Sequence, residues 1–396
     1  MKKIISFFLI FSVLLGTFSF TAFAKDELQF NNGKFKILVL SDTQDDESPS
    51  KKMLNIVSCA VKEADPDLIV FTGDFVEDSR FGDSLDDGAP FKEGVVVKKG
   101  GEVDKEKTLE NIKTAVAAVL EIFEESGKPY AVALGNNDYK CSIGGEEWLE
   151  ILSGYSGCII EDKSDDPDNR LDYNLIIKNS QGNDFFNIFL MDTGRGGVNE
   201  EQIAWFKAES EKIKEENGGE SLPAIVFQHI HLSDIGNLFE KCSPFDEGAG
   251  FVNGKCYRLK SGKMGVNNYT YEPGSSTEEF AAFKEEGNVL AAYFGHQHVD
   301  SFEGEVDGIT LGFTYGCETA KPGPYGYRLI TLNESDIENF TSEVYTVKSV
   351  SSDGSVTFQK QECSEYREYE NIFEKAFYGV VNLFNCLKRG VISLLS

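Results

Sequence analysis

The sequence predicts an α/β fold, because short buried strands alternate with helices along its first third. Residues 35–41, 68–72 and 130–134 are apolar runs rich in β-branched side chains, which is typical of buried strands. Residues 50–64 and 104–125, which lie between these runs, carry apolar side chains at helical spacing. The order strand, helix, strand, helix, strand is how a layered α/β domain begins.

The remainder of the chain continues this pattern less regularly. Further apolar runs with strand character occur at residues 173–177, 185–191, 224–228, 289–294, 310–313 and 328–332. Residues 199–216 predict a helix, but helices do not space the later strands, so we expect the second half to be more antiparallel. Residues 232–275 show little periodicity and predict a long loop, which in a compact domain usually has a function.

Both ends of the chain predict segments outside the main domain, which we expect over residues 25–365. Residues 1–24 have two lysines, an apolar run and Ala-Phe-Ala, the pattern of a cleaved signal peptide, so we expect a secreted or envelope-associated protein. Residues 366–396 predict an amphipathic helix, which could lie on a membrane surface or pack on the domain. Lys388 and Arg389 interrupt its apolar stripe, which argues against a membrane-spanning helix.

Composition and charge narrow the classes of function. Asp and Glu number 66 against 38 Lys and Arg, a net charge of −28 over 396 residues. Such a surface repels phosphate backbones, so general nucleic-acid binding is not expected. The eight cysteines include no Cys-x-x-Cys pair, which argues against a cysteine zinc site. Cys141 with Cys158, and Cys242 with Cys256, are close enough in sequence to form disulfides, with free buried thiols as the alternative.

Side chains that bind metals follow five of the predicted strands. The segments are Asp42 with Gln44, Gly73-Asp74, Gly135-Asn136-Asn137-Asp138, His229, and Gly295-His296-Gln297-His298. Since ligands of α/β sheets bind at the carboxyl ends of strands, we expect these side chains to meet. All four histidines of the chain, at positions 229, 231, 296 and 298, fall at two of these strand ends, which packing alone does not explain. Mixed carboxylate, amide and imidazole ligands suit Mn, Fe or Zn.

In this order, the five segments resemble the signature of the calcineurin-like metallophosphoesterases, which reads D-x-H, G-D, G-N-H-D/E, H and G-H-x-H. The resemblance covers roughly residues 35–335, and residues 227–230 and 295–300 are similar to the branch related to purple acid phosphatases. It implies a sandwich of two β-sheets flanked by helices, with two metal ions held by loops at one edge.

The resemblance also implies a set of metal ligands. Asp42, Gln44 and His298 would hold one ion, Asn136, His229 and His296 the other, and Asp74 would bridge the two. Two cations about 3.5–4 Å apart need a shared anionic ligand, and such a pair can activate water and clamp phosphate oxygens.

Three positions depart from the family pattern. Gln44 replaces a histidine, and its amide oxygen is a weaker ligand. Asn137 replaces the histidine that is implied to protonate the leaving group, a contribution worth roughly 10²–10⁴-fold in rate. His231 is a candidate replacement acid, with a surface or supporting histidine as the equal alternative. Glu77 stands where the purple enzymes have an iron-binding tyrosine, so a coloured iron centre is not expected.

These observations lead to one main hypothesis and two alternatives. The main hypothesis is a secreted, dinuclear-metal phosphoesterase that hydrolyses a small-molecule phosphate mono- or diester with metal-activated water, with Asn137 and His231 as catalytic candidates. The first alternative is a metal-binding pseudoenzyme, which the replacements at Gln44 and Asn137 motivate. The second is a surface-associated structural protein that uses the C-terminal helix. The substrate and the identity of the metals stay open at this point.

Overall fold

The structure is a computed structural model that describes residues 27–77, 81, 94–141, 143–164, 166, 170–261, 268–362 and 372–395. The predicted signal peptide at 1–24 lies outside these residues, as does Cys363. The strands, in chain order, are β1 (Lys34–Leu40), β2 (Leu68–Phe71), β3 (Tyr130–Val132), β4 (Tyr173–Lys178), β5 (Asp184–Met191), β6 (Ala224–Gln228), β7 (Phe239–Lys241), β8 (Gly250–Val252), β9 (Lys255–Leu259), β10 (Val289–Phe294), β11 (Glu303–Val306), β12 (Ile309–Phe313), β13 (Gly326–Asn333), β14 (Thr341–Val350) and β15 (Val356–Lys360).

The helices alternate with these strands in the first half and become rarer afterwards. They are α1 (Lys51–Ala64), α2 (Lys105–Ser126), α3 (Asn136–Tyr139), α4 (Gly145–Ser153), α5 (Glu200–Glu216), α6 (Glu278–Glu286) and α7 (Ile372–Leu395), with 3-10 turns at Ser233–Leu238 and Ile337–Asn339. Side-chain caps fix their starts: Ser50 accepts from the Met53 amide before α1, and Asp104 accepts from the Lys107 amide before α2.

The described strands form two large sheets. The first has the order β15–β14–β13–β1–β2–β3, with β1, β2 and β3 parallel and the other neighbours antiparallel. The second has the order β11–β12–β10–β6–β5–β4, with β5, β6, β10 and β12 parallel. The expectation of a more antiparallel second half is confirmed by the pairs β4–β5, β11–β12, β13–β14 and β14–β15, but the centre of this sheet is parallel. The reason is that strands distant in sequence pair there through crossovers that include α5 and α6.

The two sheets are held together by a shared apolar core and by polar contacts across it. Residues of both sheets, among them Ile37, Phe71, Ile188 and Phe227, belong to one buried cluster. The Tyr173 hydroxyl of β4 donates to the carbonyl of Val132 in β3 and accepts from its amide, both at 2.8 Å. These contacts fix β3 against β4, and the prediction of an α/β sandwich of two sheets flanked by helices is confirmed.

A buried arginine makes the corresponding link at the other end of the sandwich. Arg328 of β13 has no exposed surface, and its guanidinium donates to the carbonyls of Ser301 and Phe313 and to Glu303 of β11. A fully buried cation is tolerated only where its donors are satisfied in this way. It contributes to the alignment of β11 and β12 against the first sheet.

The predicted long loop over residues 232–275 is more ordered than the sequence suggested. It contains the 3-10 turn at Ser233–Leu238 and a small antiparallel sheet in the order β7–β9–β8. These strands are three to five residues long, so the alternation that would reveal them is too short to read.

The C-terminal helix α7 packs on the small sheet. Asn382 donates to the Phe245 carbonyl, and Arg389 donates to the Ala249 carbonyl. The opposite face carries exposed apolar side chains at Ile372, Phe373, Phe377, Val380, Val381, Phe384 and Leu387. Among the described residues, we find no helix with the length and apolarity that crossing a membrane requires.

Three cysteines lie together where α7 meets the small sheet. Cys256 Sγ lies 3.4 Å from Cys386 Sγ, and the Cys242 amide donates to the Cys256 carbonyl on the neighbouring strand. None of the seven described cysteines forms a disulfide, so the pairings considered from sequence are not seen here.

We expect a Cys256–Cys386 disulfide when the purified chain is equilibrated with oxidised glutathione, because only a small side-chain movement brings these sulfurs to bonding distance. Each disulfide formed would reduce one glutathione disulfide to two thiols. Peptide mapping under non-reducing conditions detects the linked pair. Cys386→Ser should abolish it while Cys59→Ser, on α1, should not, and a dominant Cys242–Cys256 link would contradict the expectation.

Candidate metal centre

The ends of five strands bring the predicted ligands to one edge of the sandwich. The loops after β1 and β2 run side by side, with the Asp42 amide donating to the Gly73 carbonyl and the Gln44 amide to the Asp74 carbonyl, each at 3.0 Å. The loops after β3, β6 and β10 supply Asn136, His229 and the 296–298 segment. This is the arrangement that parallel strands produce at their carboxyl ends.

The backbone at this edge is strained where the ligands sit. Of the eight described non-glycine residues with positive φ, four are predicted ligands: Asp42, Gln44, Asp74 and His296, with φ between 39° and 67°. Such conformations cost of order 1–3 kcal/mol each and persist where the surroundings enforce them. The strain is therefore concentrated at the residues that a metal site would use.

Two glycines allow the loops after β2 and β3 to touch. A Cβ at Gly135 would come within 2.2 Å of Asp74 Oδ1, and a Cβ at Gly73 would come within 2.4 Å of the Gly135 backbone nitrogen. Gly73 also has φ +87°, which favours glycine. Any side chain at these positions would separate the two loops.

A cluster of one carboxylate and two imidazoles lies at the centre of this edge. Asp74, His229 and His296 each offer a ligand atom, and these atoms lie within 4.8 Å of one another. His229 Nε2 lies 3.2 Å from Asp74 Oδ2 and 3.3 Å from His296 Nδ1. His229 Nδ1 lies 2.7 Å from the Thr72 carbonyl, which can only accept, so Nδ1 carries the proton and Nε2 faces the cluster.

The Asn136 amide points its oxygen into the same cluster. Asn136 Oδ1 lies 3.2 Å from His229 Nε2, and the same amide position lies 2.8 Å from His296 Nδ1. Hydrogen bonding alone would favour the reversed amide, which places the nitrogen there. An oxygen and two imidazole nitrogens converging on one point is the geometry of a cation site.

A second group of ligands lies beside the first. Asp42 is fully buried, and its Oδ1 lies 3.3 Å from His298 Nε2. Its Oδ2 accepts from the Ser41 hydroxyl at 2.5 Å and from the His296 amide at 3.0 Å. Gln44 Nε2 donates to Asp74 Oδ2 at 2.8 Å, which connects the two groups.

Two buried acceptors in this group test whether the residues fit a metal. Gln44 Oε1 has no hydrogen-bond partner within the described part of the chain, and Asp42 Oδ1 has only the His298 Nε2 contact at 3.3 Å. Buried acceptors left without a donor are costly, and a cation at this position would satisfy both. The donor set of carboxylate, amide and imidazole also suits Mn, Fe or Zn. The residues therefore fit the metals that the sequence predicted.

The pKa values of the histidines show how strongly these carboxylates attract positive charge. Burial lowers the pKa of His229, but the Asp74 carboxylate outweighs it, and the pKa rises to about 9. Burial also lowers the pKa of His298, but Asp42 and Glu318 raise it to about 10. Burial and the charge on His229 lower the pKa of His296 to about 4. Metal cations bound here would displace protons from two imidazoles.

Asp138 holds the loops after β2 and β3 in place. Its carboxylate is fully buried and accepts from the amides of Asp74 and Phe75 at 2.8 Å, Gly135 at 2.9 Å and Val76 at 3.4 Å. It therefore supports the ligand loops and does not act as a simple turn residue.

The two predicted catalytic residues have different surroundings. Asn137 is buried, and its backbone amide donates to Asp74 Oδ1 at 2.8 Å. Its side-chain oxygen accepts from the side chain of Asn136. His231 lies outside the cluster, with its ring centroid 6.3 Å from that of His296 and packed edge-on against Tyr271 and Phe313. Burial lowers the pKa of His231 to about 3, so this imidazole is neutral at pH 7.

Comparison with known proteins identifies the family. The sequence profile described as calcineurin-like phosphoesterase matches residues 35–300. The chain belongs to the calcineurin-like phosphoesterase family. The family match spans all seven positions proposed from sequence as metal ligands and includes the loops described above.

The chain is also similar to two named relatives and to a solved structure. Two proteins from Arabidopsis thaliana, named probable inactive purple acid phosphatase 28 and 14, are 26% and 25% identical. The first match covers 66% of this chain and 59% of the relative, and the second covers 80% and 79%. A solved dimetal phosphatase from Danio rerio is 11% identical, with a TM-score of 0.45 over 79% of this chain and 95% of that one.

Two charged residues near the centre were missed from sequence. Glu318, after β12, is buried, and its Oε2 lies 2.7 Å from His298 Nδ1. Lys140, after α3, places Nζ 2.9 Å from the amide nitrogen of Asn136, a contact that becomes a hydrogen bond in the reversed amide. Glu318 could have been found from its position after a predicted strand. Lys140 could have been found because it lies close in sequence to the segment 135–138.

We expect Glu318→Gln to weaken metal binding by about 10–100-fold, the usual cost of losing a carboxylate that orients a metal-ligating histidine. Titration calorimetry of the metal-free protein with Mn²⁺ or Zn²⁺ measures this. Glu305→Gln, on β11, is the control for charge removal. Wild-type affinity in the Glu318 variant would mean that this carboxylate does not position His298.

Proposed function

We propose that this calcineurin-like phosphoesterase is an exported, metal-dependent enzyme that hydrolyses a small-molecule phosphate mono- or diester. The observation that carries the proposal is the pair of buried, unsatisfied acceptors, Asp42 Oδ1 and Gln44 Oε1, next to the cluster of Asp74, His229 and His296. A cation bound between the two groups of side chains would satisfy both acceptors.

The ligand assignment follows the two groups of side chains. Asp42, Gln44 and His298 would hold one ion, Asn136, His229 and His296 the other, and Asp74 both. When bound, the two ions would supply positive charge for the phosphate oxygens and acidify the attacking water. The metals would also reverse the local effect of the acidic surface, which otherwise repels an anionic substrate.

The residues around these ligands would bind and orient the phosphate. The side-chain amide of Asn137 can donate a hydrogen bond to a phosphate oxygen but cannot release a proton at neutral pH. Lys140, close to the Asn136 amide, would add a cation on the same side. Since the neutral His231 imidazole is a poor proton donor, the chain would hydrolyse esters with good leaving groups faster than simple alkyl esters.

The decisive experiment is an assay of metal content and turnover with the same preparation. The purified protein would be depleted of metal, reloaded with Mn, Zn or Fe, and assayed with p-nitrophenyl phosphate and bis-p-nitrophenyl phosphate. About two metals per chain with metal-dependent turnover would support the proposal. Failure to bind any of these metals would overturn it.

A second candidate function is that of a metal-binding pseudoenzyme. It is favoured by Asn137, which stands at the position of the implied acid, and by the word inactive in the names of the two relatives. This candidate predicts the same metal content but no turnover of either ester. The assay above therefore separates the two functions.

Localisation forms a separate part of the proposal. Residues 1–24 support export with cleavage after Ala24, and the exposed apolar side chains of α7 support contact with a lipid surface. N-terminal sequencing of protein from the culture supernatant and cell envelope tests export. Loss of binding to lipid vesicles after removal of residues 372–396 tests the contact.

A further inference from the structure

A polar cleft adjoins the metal centre at His231. Its volume is about 590 Å³, and it is formed by the loop before α5, the first turn of α5, the loop after β6 and the first turn of α6. His231 lines the cleft, and its ring lies 6.3 Å from the ring of His296. A substrate with its phosphate at the metal centre could therefore extend into this cleft.

The described lining of the cleft carries negative charge without compensating cations. Glu200, Glu201 and Glu278 are exposed at its rim and carry this charge. Glu279 lies deeper, where burial raises the pKa of its carboxyl to about 8. No lysine or arginine is found among the lining residues that the structure describes. The cleft thus has a charge opposite to that expected at a metal-loaded phosphate site.

Two buried acceptors in the cleft lack donors. Glu279 is 7% exposed and Gln228 is 1% exposed, and both line the cleft. Glu279 Oε1 and Gln228 Oε1 have no hydrogen-bond partner among the described residues. Gln228 Nε2 donates to the Ile230 carbonyl at 2.8 Å, which fixes the amide with its oxygen free to accept. A ligand that donates hydrogen bonds would satisfy both of these oxygens.

The helix ends in the cleft do not make it an anion site. The cap residues Asn199 and Thr277 already accept from amides in the first turns of α5 and α6. These first turns also hold the exposed glutamates Glu200, Glu201 and Glu278, whose full charges exceed the partial positive charge of a helix end.

We propose that this cleft binds the ammonium group of an amino alcohol, so that the substrate is a phosphate ester of such an alcohol. This inference rests on the proposed function for the phosphate end of the substrate. A primary ammonium would supply N–H donors to Glu279 Oε1 and Gln228 Oε1. Burial raises the pKa of the Glu279 carboxyl to about 8, and the charge of the ammonium would favour its ionised form. The described lining has no Phe, Tyr or Trp, which argues against a quaternary ammonium that would need an aromatic cage.

The reaction consistent with this binding is an ordinary ester hydrolysis. The oxygen of water joins phosphorus, and the bond between phosphorus and the alcohol oxygen breaks. That oxygen takes one proton from the water, which yields the amino alcohol and phosphate. The ammonium stays unchanged and serves to position the leaving group beside His231.

Binding of the free leaving group tests the cleft without catalysis. Calorimetric titration of the full-length, metal-free protein compares ethanolamine with ethylene glycol, which has the same size and no charge. We expect measurable binding of ethanolamine, at least about tenfold tighter than ethylene glycol. Glu279→Gln should remove this difference, while Glu121→Gln, exposed on α2, should keep it. Equal or absent binding of both compounds to the wild-type protein would overturn the proposal.

A second variant guards against misfolding at the buried Glu279. Ser233 is exposed and lines the cleft, so Ser233→Lys places a cation there without disturbing the core. It should abolish ethanolamine binding, and retained binding would count against the cleft.

Kinetics separate this proposal from the proposed function. With metal restored, kcat/KM for O-phosphoethanolamine should exceed that for 2-hydroxyethyl phosphate by about tenfold or more, and Ser233→Lys should reduce the ratio. Equal values with turnover would overturn the substrate class and leave the phosphoesterase intact. Ethanolamine binding without turnover of any ester would overturn the phosphoesterase and leave the ammonium site in the cleft intact.

Discussion

Replacing Asp74 with alanine is expected to abolish phosphoester hydrolysis and weaken metal binding in the same protein. Asp74 is almost completely buried, and its carboxylate contacts Gln44, the Asn137 amide and His229. As the anion between both ligand groups, it matters more than a single transition-state donor, whose removal costs roughly 10²–10³-fold in kcat. Turnover of p-nitrophenyl phosphate and metal content per chain measure the two effects.

The control for this prediction is Asp184→Ala, which removes an exposed carboxylate at the start of β5. It should retain metal and activity. Circular dichroism establishes whether both variants are folded. Normal turnover in a folded Asp74 variant would show that the centre has been assigned to the wrong residues.

Replacing Asn137 with histidine is expected to raise kcat/KM for alkyl phosphates by about 10²-fold or more, the contribution of a well-placed general acid. Asn137 occupies the first turn of α3, where its backbone amide donates to Asp74 and its side chain contacts Asn136. A histidine side chain at this position can donate a proton, which the side-chain amide of Asn137 cannot do. The measurement is the ratio of kcat/KM for an alkyl phosphate to that for p-nitrophenyl phosphate.

The matched control is Asn137→Gln, which changes size without adding a proton donor. The histidine variant should gain most on the alkyl ester, because its poor leaving group needs protonation. If the wild-type protein already hydrolyses both esters equally and the histidine adds nothing, another group supplies the proton. Lys140 would then be the first residue to replace, given its position near the Asn136 amide.

The sequence predicted the sandwich and its first strands because their signals are local. The runs at β1, β2 and β3 are continuously apolar, as strands buried on both faces must be. The small sheet of β7, β8 and β9 was missed, since its strands are too short for a readable period. The parallel pairing of β10 and β12 was missed because it depends on β11 lying at the edge of the sheet and not between these two strands.

The candidate ligands could be selected from sequence because strand ends and histidines mark them. Their supporting residues could not. Glu318 contacts His298 only because the loop after β12 folds back so that the Glu318 amide donates to the Asp42 carbonyl. The cleft beside His231 also arises from α5 and α6, which are far apart in sequence. Such contacts are properties of the tertiary structure and leave no local pattern.

The Asp138 carboxylate makes the loops after β2 and β3 a single thermodynamic unit. Since it accepts hydrogen bonds from backbone amides of both loops, neither loop can open without breaking bonds to the other. Asn136, on the loop after β3, belongs to one ligand group, and Asp74, on the loop after β2, is shared by both groups. We therefore expect the two metals to bind cooperatively, with one steep transition in a titration instead of two separate steps. Partial demetallation should then yield a mixture of empty and fully loaded molecules.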